Sequence, residues 1–269
     1  MIKSKKTKKI SPLEKELQIL KKQECAFLKK YSDKNDSKIN QIIEGVIPGK
    51  VQGTLESAFS KAFYLIFEKG TGIIEKTYKK DQILEDYDIN MYAAERKNTK
   101  KEWRAFSKKS AVSANKNLLV SGASGIGMGF LGIGVPDIVW YIGLQLRSIY
   151  EIALNNGFSY EEEQEQRFIL SLFCGALSYG KKQRAINSEI NYFIEHNEFS
   201  SEKDIKQCIE ETASCMSKEL LYMKFLQSIP IVGTVGGAFD IICMQRINKY
   251  AELKYRRRFL YSHFMREDS

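Results

Sequence analysis

Apolar residues along this 269-residue chain recur at three- and four-residue intervals, the spacing of one helix face. Ser11 reads as an N-cap, with Pro12 at the first helical position and Glu14 three residues after the cap. Leu13, Leu17, Leu20, Phe27 and Leu28 then form an apolar stripe, and the polar run YSDKNDSK (31–38) breaks the helix. Leu55, Phe59, Ala62, Phe63 and Ile66 mark a second amphipathic helix. A charged helical segment with Trp103 and Phe106 is predicted over 81–116. Further helices are predicted at about 136–155, 160–179, 183–196, 202–224 and 229–262, the first of them stopped by Asn155-Asn156-Gly157. No alternating run bounded by hairpin turns occurs. The pattern therefore predicts an all-α protein: a single helical bundle over 39–269, preceded by a basic tail and a loose helical arm over 1–38.

Two glycine-rich segments interrupt the amphipathic pattern. Read as a helix, residues 118–136 place Gly122, Gly125, Gly129 and Gly132 on one side. Each glycine inside a helix costs about 1 kcal/mol relative to alanine, so such a stripe requires another backbone against it. Gly125 and Gly129, and likewise Gly233 and Gly237, are spaced to permit that approach. Asn117 to Pro136 is free of charge and, at 1.5 Å per residue, about 30 Å long, the thickness of a bilayer core. Phe225 to Phe239 reaches only about 22 Å and contains Pro230. The residues leave two arrangements open: a soluble or peripheral bundle with the glycine segments packed at its centre, or a membrane-inserting hairpin. Asp137, Arg147 and Asp240 interrupt the apolar blocks. Buried carboxylates must be paired, hydrogen-bonded or protonated. Asp240 is accordingly expected to meet Arg147, with Arg246 as the alternative cation, or to share a polar network with Asp137 and Glu151.

Charge sharpens this picture. The net charge of +9 is polarised: residues 1–38 carry twelve lysines against five acids, whereas 151–211 carry twelve acids against six basic residues. The tail lysines Lys5, Lys6, Lys8 and Lys9 and the run Arg256, Arg257, Arg258 suggest an anionic membrane surface as partner. Nucleic acid is not the expected partner, because the basic residues are dispersed and carry no recognition motif. Five cysteines, an odd number without a CxxC pair, suit a reducing compartment with thiols used as core filler. No secretory h-region follows the basic start.

Several short motifs imitate chemistry without its context. GMGFLG (127–132) matches the dinucleotide fingerprint but lacks a preceding strand. GALSYGKK (175–182) lacks the final Ser/Thr of a P-loop and reads as a helix end. GASGI (122–126) misses the esterase elbow at its last residue. His196 and His263 have no cysteine at zinc spacing and read as surface residues. Neither a catalytic set, a metal site nor a cofactor is expected.

The blocks GVPDIVWYIGLQLRSIYEIALNNGFS, IPIVGTVGGAFD and RRRFL, together with LESAFSKAFYLIFEKGTGIIEK, resemble the EcsC protein family over roughly 45–262. The chain departs from the family pattern where Gly157-Phe158-Ser159 replaces Gly-Tyr-Asp and where Asp240 replaces Asn. The family takes its name from a bacterial operon that also encodes an ABC transporter, and no reaction is attached to it. The resemblance implies a helical bacterial protein acting at the cytoplasmic membrane as an accessory or interaction module, with a membrane protein such as a transporter as a candidate neighbour. A membrane-inserting pore- or stress-type effector using the glycine-rich hairpin is the alternative.

Overall fold

The computed structural model describes residues 11–32, 45, 49–68, 71–108, 135–228 and 238–267. Among these, every regular element is helical: α1 (Pro12–Ser32), α2 (Gly49–Glu68), the single turn α3 (Gly72–Glu75), α4 (Lys80–Lys97), α5 (Val135–Leu154), α6 (Glu163–Leu177), α7 (Gly180–His196), α8 (Ile205–Ser228) and α9 (Ala238–Glu267). Residues 100–108 form a further helical segment. The all-α expectation holds. The glycine stripe at Gly122, Gly125, Gly129, Gly132, Gly233 and Gly237, the tail lysines, and the side chains of Asp137 and Asp240 lie outside the described residues.

Helix boundaries follow from local chemistry. At α1 the Glu14 amide donates to Ser11 Oγ at 3.1 Å and the Ser11 amide to Glu14 Oε2 at 3.3 Å, the reciprocal capping box that the residue order predicts. α5 ends in a Schellman turn. The Phe158 amide reaches back to Ala153 O at 3.0 Å and the Gly157 amide to Leu154 O at 2.9 Å. Gly157 takes φ +78°, which a side chain would resist. The segment predicted as one helix over 81–116 is divided. Asn98 adopts a left-handed conformation (φ 40°), and its Oδ1 accepts from Trp103 Nε1 at 2.9 Å. The chain turns there, bringing Trp103 and Phe106 inward.

α6 sits deepest. Its RFILSLFCGAL run is apolar around most of its circumference, and it packs against α7, α8 and α9. Phe168, Ile169, Leu170, Leu172 and Phe173 are fully buried. α2 covers α5 and α8 with the predicted stripe of Leu55, Phe59, Ala62, Phe63 and Ile66. A second apolar cluster joins Leu13 and Leu20 of α1, Met91 and Ala94 of α4, Trp103, Phe106, and Phe259 of α9. Phe106 stacks on Phe259 with centroids 4.6 Å apart. α1 was expected as a loose arm. It instead lies along α9 and α7, with Leu13 and Leu20 buried and Leu17, Phe27 and Leu28 half-buried. The stripe that made it amphipathic has its complement in α9, more than two hundred residues away.

Candidate functional site

Of the residues singled out for a buried polar network, the three whose side chains are described, Arg147, Glu151 and Arg246, lie in two places. On α5, Arg147 Nε pairs with Glu151 Oε1 at 2.9 Å, one helical turn away. Arg246 is elsewhere, in a dense polar cluster. Its Nη1 donates to Tyr179 Oη at 2.7 Å and to Glu219 Oε1 at 2.8 Å, and its Nη2 donates to Ser178 O at 2.9 Å. The Tyr179 hydroxyl donates to the same Glu219 oxygen at 2.7 Å. The guanidinium lies over the Tyr31 and Tyr179 rings at 4.0 and 4.4 Å. Both charged side chains are about 5% exposed or less. This cluster joins α1, the α6–α7 turn, α8 and α9. Across α5 and α9, Asn248 Nδ2 donates to Ser148 Oγ at 3.2 Å.

The C-terminal arginines depart furthest from expectation. Arg257 Nη1 pairs with Glu24 of α1 at 2.9 Å and its Nη2 with Glu195 at 3.1 Å. Arg258 Nη1 pairs with Glu165 at 2.6 Å, above the rings of Phe158, Phe168 and Phe193. Arg256 Nη1 reaches Glu252 at 3.3 Å and Gln23 at the same distance. Lys254, fully buried, bonds Glu24 and donates to Asn191 Oδ1 at 2.7 Å. Arg256, Arg257 and Arg258 thus serve internal partners, chiefly carboxylates, and do not form an outward basic patch. The reason is physical: Glu24 and Glu165 are buried by helices packed on α9, and a buried carboxylate needs a cation.

With its acids drawn inward, α1 is left one-sided. Glu16 and Glu24 are buried, and Glu14 is engaged in the cap. Lys15, Lys21, Lys22, Lys29 and Lys30 are exposed or nearly so. At 100° per residue Lys15, Lys22 and Lys29 fall within one narrow stripe opposite Leu13, Leu20 and Glu24.

A cavity of about 400 Å³ opens among α6, α7, α8 and the α7–α8 loop. Cys174, Cys208 and Cys215 all line it, as does Lys182. Cys174 Sγ and Cys215 Sγ are 3.0 Å apart. Lys182 Nζ donates to Cys215 Sγ at 3.3 Å, and Ser178 Oγ lies 3.9 Å from it. The hydrogen bond from the Cys174 thiol, opposed by burial and reinforced by the Lys182 ammonium, lowers the Cys215 pKa to about 6. The same contact and burial push the Cys174 thiol up. Lys203 pairs with Glu211 at 2.8 Å on the rim, and Arg167 donates to Ser201 O at 3.0 Å beside the Phe199 ring. The cysteines were expected as core filler. Four are buried, but three converge on one cavity. Cys174 and Cys215 lie 41 residues apart on separate helices, so spacing offered no signal.

GALSYGKK bridges α6 and α7 as a helix end, as predicted. Gly180 supplies a φ of +54° at the turn, and the second lysine of the motif is the one that reaches Cys215. His196 is exposed, but His263 packs over the Phe259 ring with centroids 4.3 Å apart. Among the described residues no helix is long and apolar enough to cross a membrane, and no group of histidine, cysteine or acidic residues could hold a metal ion.

The EcsC protein family model matches residues 13–260. The chain belongs to the EcsC protein family. The match begins at Leu13 and so includes all of α1 but Pro12; the helix expected as an arm is part of the EcsC unit. No curated protein and no solved structure matches the chain. At the first position departing from the family pattern, Gly157 forms the Schellman turn and Phe158 lies under Arg258.

Proposed function

We propose that this EcsC protein is a non-catalytic accessory module that docks on the anionic cytoplasmic face of the bacterial inner membrane through α1 and the tail before it, beside a membrane protein such as a transporter. The observation that carries this reading is the one-sidedness of α1: its exposed charges are lysines, while its glutamates are buried or capping. A lysine near an anionic surface contributes about 1 kcal/mol, and salt screens the contribution. Lys15, Lys22 and Lys29 together would then contribute about 3 kcal/mol, a factor of about 100 in partitioning.

Flotation of the full chain with vesicles tests the proposal. Binding to phosphatidylcholine vesicles containing phosphatidylglycerol, loss of that binding in high salt, and a fall of about 100-fold in the Lys15→Gln, Lys22→Gln, Lys29→Gln variant are expected. Equal binding to neutral and anionic vesicles, or binding to neither, would overturn it. Binding that survives both high salt and carbonate would favour the inserting-hairpin alternative.

A further inference from the structure

The cavity between α6, α7 and α8 holds a thiol pair unlike an ordinary buried cysteine. A thiol in apolar surroundings keeps its proton and is inert. Cys215 instead faces an ammonium at 3.3 Å, a second thiol at 3.0 Å and a hydroxyl at 3.9 Å. These groups come from three places in the fold: Lys182 in the first turn of α7, Cys174 near the end of α6, and Ser178 in the intervening turn. Both sulfurs belong to residues that line a cavity roomy enough for a small molecule. No further histidine, cysteine or acidic group among the described residues joins them into a metal cluster. The pair is also poised for bonding, since closing from 3.0 Å to a disulfide of about 2.05 Å requires a movement of about 1 Å.

We propose that this cavity is a thiol-oxidation site, with Cys215 as the attacking thiolate, Cys174 as the resolving thiol, and a small hydroperoxide as the oxidant. Cys215 Sγ attacks the terminal peroxide oxygen. The O–O bond breaks, the sulfur becomes a sulfenic acid, and the alkoxide that leaves (hydroxide from hydrogen peroxide) takes from solvent a proton equal to the one Cys215 released on ionising, giving the alcohol or water. Cys174 then attacks the Cys215 sulfur. The S–O bond breaks, and hydroxide leaves with the Cys174 proton as water. Two thiols and one hydroperoxide thus give one disulfide, one alcohol and one water. Lys182 keeps Cys215 ionised and stands beside the leaving oxygen. The product ties α6 to α8 one turn before Ser178 and Glu219, both partners of Arg246.

The test uses the reduced full-length chain and hydrogen peroxide. Intact mass is expected to fall by two hydrogens, with peptide mapping placing the new bond between Cys174 and Cys215. Cys174→Ser should accumulate a dimedone-reactive sulfenic acid at Cys215. Cys215→Ser should leave Cys174 unoxidised. The pH profile of iodoacetamide labelling at Cys215 should have its midpoint below the ordinary thiol range, in the direction set by the Cys174 hydrogen bond and the Lys182 ammonium. Lys182→Met should move that midpoint up by about one unit or more. The proposal fails if exposed Cys25 oxidises while Cys174 and Cys215 remain thiols. It also fails if Cys174 is modified first, or if the Cys215 midpoint lies in the ordinary thiol range. The wild-type mapping and labelling profile decide the matter even if a variant does not fold.

Discussion

Replacing Arg246 with methionine removes the guanidinium that joins α9 to Glu219, Tyr179 and Ser178 O, through hydrogen bonds of 2.8, 2.7 and 2.9 Å. Glu219 would keep the Tyr179 hydroxyl at 2.7 Å but lose its cation, with its side chain only 5% exposed. Breaking a buried pair from one side costs about 3–5 kcal/mol. That is a large part of the roughly 5–15 kcal/mol that holds a domain together. For a chain of this size it corresponds to a fall in Tm of about 6–20 °C. Arg246→Lys should recover little, because an ammonium cannot satisfy both the carboxylate and the carbonyl in the geometry of a planar fork. The double variant Arg246→Met, Glu219→Met replaces both charges with apolar volume. It should cost less than the sum of the singles by about 2–3 kcal/mol. Urea denaturation followed by circular dichroism measures all four corners of the cycle. A cost below about 1 kcal/mol for Arg246→Met, or strictly additive single effects, would show that the cluster does not tie these helices together.

Three further outcomes follow from the α1–α9 contact and the end of α5. Burial raises the Glu24 pKa, but Lys254 and Arg257 outweigh it and hold the carboxyl below its ordinary 4.5. The stabilisation from Glu24 is therefore present above pH 4.5 and lost as pH falls through the lower folded value. Glu24→Gln should give a shallower acid limb in a Tm-versus-pH series, and an unchanged limb would refute the pairing. Burial, partly offset by Glu24, lowers Lys254 from 10.5 to about 8. Between those values the unfolded chain binds more protons, so Lys254 makes stability rise with pH there; Lys254→Met should remove that rise, and its persistence would assign it to another group. Gly157→Ala places a Cβ at positive φ and 2.4 Å from Tyr87 Oη. It should cost about 1–3 kcal/mol in chemical denaturation, whereas a neutral result would mean that the Schellman turn relaxes freely.

Local order was legible wherever the deciding atoms are close in sequence. Ser11, Pro12 and Glu14 announced the start of α1, and Asn155-Asn156-Gly157 announced the end of α5, because caps are built within a few residues. The three-and-four spacing of Leu55, Phe59 and Ile66 revealed a buried face, because helix geometry alone sets that period. The break at Asn98 was missed although its signal is local: a left-handed asparagine caps the helix after Arg96 and Lys97, and its side chain holds Trp103 five residues on.

Pairing across the bundle was a different matter. From the residues alone one could read an all-helical, EcsC-like chain, several of its helix ends, and which residues could not all face water. Which buried charge meets which emerged only in the packed bundle: Glu24 with Lys254 and Arg257, Glu165 with Arg258, and Glu219 with Arg246. So did the meeting of Cys174 with Cys215. Periodicity gives the direction of a side chain around its own axis. It carries no information about which helix lies across from it, since the hydrophobic effect that assembles helices is non-directional. The chosen partner depends on packing shape and on satisfying every buried charge at once, conditions that exist only when all the helices are in place.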